Sequence, residues 1–260
     1  MNTETIRAIG DQLYQAILDR TTIRPLTDQY DDFTIHDAYN ISLRILERRL
    51  EAGEKIIGKK IGVTSAAVMD MLDVRQPDFG FMTDAMRFDG DMPISTKLIQ
   101  PRAEGELAFI LKKNLLGPGV TNADVVAATE AVVPCFEVVD SRIQDWRIKI
   151  QDTVADNASC GLFTINESAA VSPTQIDLAT CRMEVIKNGE ILSTGVGAAA
   201  MGNPLHCVTW LANTLGELGI SLNAGDIILS GSLVPLEPVV AGDQMTVTVS
   251  GIGACSVNFC

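Results

Sequence analysis

The sequence is short of histidine, with only His36 and His206 in 260 residues. The chain contains no HExxH pattern, no GxSxG stretch and no Cys–His–Asn spacing. Serine and cysteine hydrolases depend on a nucleophile held beside a histidine base. These two enzyme classes therefore have little support from the residues.

Positive charge and long apolar runs are also scarce. Lys and Arg total 20 against 33 Asp and Glu, so the net charge is -13. This balance disfavours nucleic acid or an anionic membrane as a partner, although a local cation can still admit a small anionic substrate. No apolar run approaches the ~20 residues of a membrane span. The first residues also lack the basic and apolar regions of a signal peptide.

The cysteines form no CxxC pair. They are spread along the chain as Cys135, Cys160, Cys181, Cys207, Cys255 and Cys260. This distribution is typical of reduced thiols in a cytosolic protein, so we expect a cytoplasmic location and packing roles. Hydrophobic residues make up 47% of the chain and charged residues 20%, which predicts a globular protein.

Two amphipathic helices are predicted at the N-terminus. The first covers residues 3–20, with Thr3 as its N-cap. The second begins at Thr34, which can form a capping box with Asp37, and ends at Gly53. The predicted apolar stripes are Ile6, Ile9, Leu13 and Ile17 on the first helix and Ala38, Tyr39, Leu46 and Leu50 on the second.

From residue 56 onward, short β-like runs and turn residues dominate the sequence. IIGKKIGV is strand-like, and Asn188-Gly189 predicts a tight hairpin turn within MEVIKNGEILS. Helices are predicted from Asn122, in NADVVAATEAVV, and from Asn203, which precedes a proline suited to the first turn.

Two late stretches begin with the same tripeptide: AGDIILSG at Ala224 and AGDQMTVTVSG at Ala241. Each resembles a turn that leads into a strand, and we expect both strands in one sheet. Together the elements predict an α+β fold. Residues 1–55 form a helical segment packed on a β-rich core of residues 56–260.

The stretch PRAEGELAFI, residues 101–110, places two carboxylates in an apolar strand. Because side chains alternate along a strand, Glu104 and Glu106 share one face. Burying unpaired anions costs several kcal/mol, and a divalent cation bound by carboxylate oxygens removes that cost. The alternative is a solvated face with Lys or Arg partners. Glu137, in the apolar run CFEVVDSR, could complete an open Mg²⁺ or Mn²⁺ site, with Asp140 as the rival third ligand.

Lys60 is a candidate for binding a substrate carboxylate or for acid–base chemistry. It shares a strand face with Gly58 and Gly62, which leave room around it for a ligand. The alternative is an ordinary surface lysine. Asp78 follows in RQPDFG, a turn-like stretch in which aspartate often caps the backbone.

Two loop-like stretches could form the wall of a pocket. ADNASCG contains Asn157 and Ser159, which suit a polar pocket or an ordinary turn. GVGAAAMGNP contains Gly197, and its glycines would let the backbone approach a ligand closely. A hairpin precedes this second stretch, so a dinucleotide-binding fingerprint is disfavoured.

These motifs, in their order and spacing, resemble one family. They are IGKKIGVTS, QPDFG, PRAEGELAF, FEVVDSR, DTVADNASCG, GVGAAAMGNPL and the closing AGD…GIGACSVNF. They resemble the 2-hydroxypenta-2,4-dienoate hydratases of the fumarylacetoacetate hydrolase superfamily, from about residue 34 to the end. Two positions depart from the pattern: Asn203, where a histidine is usual, and Gly105, where a bulkier residue is common.

The resemblance implies a site as well as a fold. The fold is a β-rich mixed-sheet roll of the fumarylacetoacetate hydrolase C-terminal-domain type. The glutamates at positions 104, 106 and 137 match the family's metal ligands, which implies Mg²⁺ or Mn²⁺ as cofactor. Lys60 and Asp78 match its acid–base and substrate-orienting positions, and Ser159 matches its pocket wall.

The implied activity is that of a hydro-lyase. It adds water to 2-hydroxypenta-2,4-dienoate, giving 4-hydroxy-2-oxopentanoate in the meta-cleavage pathway of aromatic catabolism. The family also implies a homo-oligomer and a complex with 4-oxalocrotonate decarboxylase. That decarboxylase is the alternative activity, although its members more typically read GLKMGLTS and PIYG where this chain has GKKIGVTS and QPDFG. A C–C hydrolase and a non-catalytic partner subunit are weaker alternatives.

Overall fold

The computed structural model describes residues 1–260, apart from the side chains at positions 67 and 71. Its α-helices are α1 (Thr3–Asp19), α2 (Ile35–Glu51), α3 (Ala66–Met71), α4 (Ile94–Lys97), α5 (Asn122–Ala128), α6 (Ile150–Ala155) and α7 (Pro204–Glu217). Its strands are β1 (Ile56–Gly62), β2 (Asp78–Thr83), β3 (Asp91–Met92), β4 (Arg102–Leu111), β5 (Thr129–Val139), β6 (Leu162–Ile165), β7 (Arg182–Lys187), β8 (Glu190–Val196), β9 (Ile227–Leu229), β10 (Glu237–Pro238), β11 (Gln244–Val249) and β12 (Gly253–Phe259).

Two sheets form the main core. The larger has the strand order β2-β1-β9-β4-β5-β6, with β10 also paired to β4, and the smaller has the order β3-β12-β11-β7-β8. Strands β11 and β12 pack against β5 of the larger sheet. The helical N-terminus and the mixed sheets confirm the predicted α+β class. Strands β4 and β5 pair antiparallel although α5 lies between them in sequence.

The two faces of β4 have different environments. Gly105 faces the smaller sheet, where an added Cβ would lie 2.9 Å from the Met183 Sδ and 3.2 Å from a Val247 methyl. Core atoms packed this tightly leave no room for a larger side chain. Glycine at this position therefore lets the two sheets approach, and Glu104 and Glu106 point to the opposite face.

The N-terminal helices form a second apolar cluster beside the main core. It buries Ile9 and Leu13 of α1, Ile41 and Ile45 of α2, and Val154 of α6. The helical segment thus packs on the rest of the chain, as the sequence predicts. The boundary between residues 55 and 56 stays a prediction.

The ends and faces of the N-terminal helices differ in part from the predictions. Asn2, not Thr3, caps α1, and its side-chain oxygen accepts a 2.8 Å hydrogen bond from the Thr5 N–H. Leu50 is 41% exposed, because the buried stripe of α2 ends at Ile45. The capping box at the start of α2 and the end of that helix near residue 53 are confirmed.

The prediction that the two AGD stretches lead into strands of one sheet is wrong. IIL of β9 lies in the larger sheet, parallel to β1 and antiparallel to β4, and all three of its residues are buried. QMTVTV of β11 lies in the smaller sheet, and its residues alternate between buried and more exposed. A continuous apolar run suits a strand covered on both faces, whereas alternation suits a strand with one solvated face.

Other local predictions have mixed outcomes. The helix predicted from Asn122 is only seven residues long, because the β-branched residues after Ala128 join β5. The turn at Asn188-Gly189 is confirmed, with positive φ angles of 53° and 86°. Asn203 caps α7 by accepting a 2.9 Å hydrogen bond from the Leu205 N–H, so it has a structural role. In the described part of the chain, no helix is long and apolar enough to span a membrane.

Candidate active site

The three predicted metal ligands converge on one face of the larger sheet. The β4–β5 register places Glu104 directly opposite Glu137, and Glu106 lies two residues further along β4 on the same face. One carboxylate oxygen from each glutamate lies within 4.8 Å of the other two. The antiparallel pairing, which brings residue 137 back beside residue 104, creates this cluster.

Several carboxylate oxygens of this cluster have no hydrogen-bond donor in the protein. Glu106 and Glu137 are each 1% exposed, and Glu104 is half-buried. Oε1 of Glu106 and both carboxylate oxygens of Glu137 accept no hydrogen bond from the described residues. Buried polar atoms in folded proteins are nearly always paired. Unpaired carboxylate oxygens grouped at this spacing fit a divalent cation, which prefers oxygen ligands.

The pKa values reflect the same crowding. Burial, together with the neighbouring charge of Glu137, raises the pKa of Glu104 to about 8 and that of Glu106 well above its usual range. Burial also raises the pKa of Glu137, although the nearby lysine opposes that shift. The cluster therefore favours protons, or a positive ion in their place.

Lys60 and Asp78 meet beside this cluster. The Lys60 Nζ lies 3.5 Å from the Glu137 Oε1. In the β1–β2 register Gly62 faces Asp78, and a Cβ added to Gly62 would overlap the Asp78 Oδ1 and lie 3.2 Å from the Lys60 Nζ. The Asp78 carboxylate fills the space beside Gly62, and the Ile227 carbonyl fills the space beside Gly58, so the expected room for a ligand around Lys60 stays a prediction. The Asp78 Oδ1 accepts no hydrogen bond from the described residues.

The charge states of this pair follow from its surroundings. Burial alone would lower the pKa of Lys60, but the Glu137 and Asp78 carboxylates outweigh it and raise the pKa. Burial raises the pKa of Asp78, although the Lys60 ammonium opposes it. Lys60 is thus a protonated cation at neutral pH, and Asp78 is a carboxyl group that can hold a proton.

The neighbouring Lys59 belongs to a different environment. It points to the other face of β1, where its Nζ donates a 2.5 Å hydrogen bond to the Asp226 Oδ2. Both side chains are buried. Strand alternation thus places one lysine in a structural ion pair with Asp226 and the next beside the glutamate cluster.

The segment after β9 completes the site, and sequence reasoning missed it. The Gly231 N–H donates a 2.8 Å hydrogen bond to the Glu106 Oε2. The Ser232 hydroxyl lies beside Glu104 and lowers the pKa of that carboxyl, against the larger effect of burial. The small residues of LSGSL after a buried strand were the available signal, since they let the backbone approach a neighbour closely.

Asn157 and Ser159 lie in a buried left-handed turn. Residues 157–159 have φ angles of 54°, 52° and 53°. The Asn157 side chain accepts a 2.8 Å hydrogen bond from the Phe81 N–H and donates one of 2.9 Å to the Phe81 carbonyl. The Ser159 and Thr153 hydroxyls are 3.0 Å apart and share a hydrogen bond. Asn157 therefore anchors β2, which carries Asp78, and the substrate-binding roles of Asn157 and Ser159 stay predictions.

Four other residues from the sequence analysis lie in different environments. A Cβ added to Gly197 would overlap the Leu178 carbonyl, so chain packing already requires a glycine there, and its substrate-binding role stays a prediction. The Asp140 Oδ1 accepts hydrogen bonds from the backbone N–H groups of residues 99 and 100, outside the glutamate cluster. His36 and His206 are both exposed on helices.

Comparison with known proteins places the chain in a family. Residues 61–259 match the family model for the fumarylacetoacetate (FAA) hydrolase C-terminal domain. The chain is 68% identical over 223 residues to a 2-hydroxypent-2,4-dienoate hydratase of Pseudomonas putida, across 85% of this chain and 100% of the relative. It is 55% identical over 257 residues to a 2-hydroxyhexa-2,4-dienoate hydratase of Comamonas testosteroni, across 98% and 97% of the two chains.

A solved structure shares the complete fold. It is 4-oxalocrotonate decarboxylase from Pseudomonas putida G7, complexed with magnesium and adipate. It matches with a TM-score of 0.95 and 36% identity, over 100% of this chain and 99% of that one. The chain therefore belongs to the fumarylacetoacetate hydrolase family, in the branch of the 2-hydroxydienoate hydratases.

Proposed function

We propose that this protein is a metal-dependent hydro-lyase that adds water to 2-hydroxypenta-2,4-dienoate and releases 4-hydroxy-2-oxopentanoate. One observation carries the proposal: three glutamates converge beside Lys60 and Asp78 in the manner of an open metal site. The 68% identity to a 2-hydroxypent-2,4-dienoate hydratase supports this substrate. The reaction belongs to the meta-cleavage route of aromatic catabolism.

Glu104, Glu106 and Glu137 would hold the cation, and we propose Mg²⁺ or Mn²⁺. Three carboxylates offer the hard oxygen ligands that these ions prefer. The similar decarboxylase has been solved with magnesium and also with calcium, which supports a hard divalent ion. When bound, the cation would supply Lewis-acid polarisation of the substrate's carboxylate and 2-oxygen.

Lys60 and Asp78 have complementary roles in the proposal. Neighbouring carboxylates keep Lys60 protonated, so its ammonium can donate a hydrogen bond to the substrate and stabilise developing negative charge. Asp78 has a raised pKa and an oxygen without a partner, which suits a group that accepts a proton and returns it. We therefore assign acid–base transfer to Asp78 and charge stabilisation to Lys60.

The reaction requires two balanced proton movements. First, the 2-hydroxyl of the dienol loses a proton and C5 gains one, which gives the conjugated 2-oxo-3-enoate. Then the oxygen of water bonds to C4 as Asp78 takes a proton from it, and C3 receives a proton. Because each step removes one proton and delivers one, a single carboxyl group with a raised pKa can serve both.

The direct test is a spectrophotometric assay with freshly generated 2-hydroxypenta-2,4-dienoate. The chelated protein should be inactive, and Mg²⁺ or Mn²⁺ should restore loss of the dienol with a product heavier by one water. Glu104→Gln should lose metal binding and rate together. Full turnover by the chelated protein would contradict the metal assignment, and no turnover with metal bound would contradict the hydratase.

The second candidate is decarboxylation of 2-oxohex-3-enedioate, and the 0.95 TM-score to 4-oxalocrotonate decarboxylase favours it. It would use the same metal site but no activated water. Release of CO₂ from 2-oxohex-3-enedioate, with no hydration of the dienol, would establish this alternative.

We also propose a homo-oligomer, an association with 4-oxalocrotonate decarboxylase, and a cytoplasmic location. Exposed apolar side chains on the edge strand β8, Ile191 and Val196 among them, support association with another chain. The cysteines are free, which suits a reducing compartment. Light scattering of the protein alone and mixed with the decarboxylase tests both associations.

A further inference from the structure

A cleft of about 330 Å³ reaches the site from the side of the N-terminal helices. Its inner end is Asp78, the candidate acid–base residue. Its walls are Ile35 and Tyr39 of α2 and Ile150 and Val154 of α6. Helices α2 and α6 pack against each other, so the cleft lies where the N-terminal segment meets the β core.

The position of the cleft relates it to one end of the substrate. In the proposed reaction the carboxylate and 2-oxygen lie at the glutamate cluster, and Asp78 exchanges protons further along the carbon chain. Any substituent on C5 therefore points past Asp78, away from the glutamates. The cleft begins at Asp78, so it can receive that substituent.

The chemistry of the walls indicates which substituents fit. The side chains of Ile35, Ile150 and Val154 are aliphatic, and the Tyr39 ring stacks on Phe79 at 4.5 Å and so presents a fixed apolar wall. Apolar surface of this kind stabilises a hydrocarbon group. The neutral polar groups of the lining, the Tyr39 hydroxyl and the exposed Gln76 amide, bring no positive charge to a second carboxylate.

Arg75 at the rim is the only cationic residue among the described residues that line the cleft. Its guanidinium is already bonded to the Asp70 carboxylate at 3.1 Å and to the Val74 carbonyl at 2.8 Å. Both members of this ion pair are more than 70% exposed, so water competes with any further contact. A second carboxylate on the substrate would therefore gain little from Arg75.

We propose that this cleft is the specificity pocket for the C5 substituent, and that Ile150 and Val154 set the length of the alkyl group accepted there. This inference rests on the proposed hydratase function. Val154 is fully buried at the inner wall, whereas Ile150 is half-buried. A larger side chain at Ile150 should shorten the space for the alkyl group. A smaller side chain at Val154 should lengthen it.

The test compares kcat/KM for 2-hydroxypenta-2,4-dienoate and for 2-hydroxyhexa-2,4-dienoate, which carries one methyl group on C5. Ile150→Phe should reduce the hexadienoate-to-pentadienoate ratio by about 10-fold or more, the usual effect of one methylene in an apolar pocket. Val154→Ala should raise the relative rate of a homologue with a C5 ethyl group by a similar factor. Ile148→Phe is the matched control, because Ile148 is also half-buried near α6 but does not line the cleft.

A second readout does not require turnover. Saturated 2-oxo acids of five, six and seven carbons serve as competitive inhibitors, and their inhibition constants should follow the same order in each variant. Ratios that stay within twofold of wild type in Ile150→Phe, the more exposed position, would overturn the inference even where Val154→Ala fails to fold. If wild-type protein hydrates neither dienoate, the proposed function fails instead.

Discussion

Two buried clusters of charge lie close together in this molecule, and they are satisfied to very different degrees. In one, the buried Arg142 side chain donates to the Asp156 carboxylate at 2.6 Å and to the Asp140 carbonyl at 2.6 Å. In the other, Glu106, Glu137 and Asp78 keep four carboxylate oxygens without a hydrogen-bond donor. The hydrogen bonds of the first cluster are complete as folded, whereas the second leaves carboxylate oxygens open to a proton or a cation.

Strand alternation produces this difference. Glu137 lies within β5, and Asp140 follows just beyond its end, so an odd number of positions separates them. Their side chains leave opposite faces, one toward the β4 glutamates and the other toward Arg142 and the backbone of residues 99 and 100. Burial of a charged side chain therefore does not by itself identify a functional site. Buried carboxylate oxygens that lack a hydrogen-bond partner are the more informative sign.

The largest expected effect comes from breaking the complete cluster. Arg142→Met leaves Asp156 buried without its partner, which should cost about 3–5 kcal/mol of unfolding free energy. Urea denaturation of the metal-free protein measures it. Arg147→Met is the control, since its exposed pair with Asp28 should contribute about 1 kcal/mol or less. Equal losses in the two variants would show that the Arg142 cluster has no special structural role.

The incomplete cluster should respond in the opposite way. Glu106→Gln replaces a buried carboxyl group, whose pKa burial raises well above its usual range, with a neutral amide of the same size, so the metal-free variant should be at least as stable as wild type. It should nevertheless lose Mn²⁺ binding, followed by electron paramagnetic resonance, and about 10²–10³-fold in kcat/KM.

Glu130→Gln is the matched control for that variant, because residue 130 lies on β5, the strand that pairs with β4, and its side chain is exposed. It should keep both metal binding and rate. A Glu106→Gln protein that still binds Mn²⁺ and turns over normally would remove Glu106 from the site.

The smallest expected effect is a pH dependence of the unfolding free energy, which arises from the glutamate cluster alone. The folded pKa of Glu104 is about 8, above the ~4.3 of an unfolded chain. A raised carboxyl pKa contributes stability below the unfolded value, and that contribution is lost as pH rises through about 8. Between pH 6.5 and 8.5 the melting temperature of the chelated protein should fall by about 2–4 °C, equivalent to about 1 kcal/mol.

Two controls isolate that effect from the complete cluster. Asp156 has a pKa of about 6, so its titration is largely finished before this pH window begins. Saturating Mg²⁺ should abolish the fall, and so should Glu104→Gln. A slope that persists unchanged in Glu104→Gln would assign the titration to another group.

Much of the site could be predicted because its signals are local. Alternation along β4 places Glu104 and Glu106 on one face, and a run of apolar residues around Glu137 predicts a buried strand. Gly62 lies two residues after Lys60, and its missing side chain leaves the space that the Asp78 carboxylate occupies. Each of these predictions depends on residues only a few positions apart, where backbone geometry alone determines which side chains share a face.

The features of the fold and of the site that the sequence did not predict depend on contacts between distant segments. Gly231, which binds the Glu106 carboxylate, is 125 residues away from it in sequence. The prediction that both AGD strands lie in one sheet was wrong, because identical turn residues do not determine which sheet a strand joins. The cleft walls come from α2 and α6, helices separated by about a hundred residues.

The sequence by itself determined the α+β class, the caps of α2 and α7, the hairpin turn and the three carboxylates suited to a metal ion. Only the tertiary structure decided which buried charges are satisfied, which residues close the site, and which side chains line the cleft beside Asp78. The physical reason is the distance along the chain over which each kind of interaction acts. Periodicity and capping act over a few residues, whereas strand pairing and packing join segments whose separation in sequence carries no signal of its own.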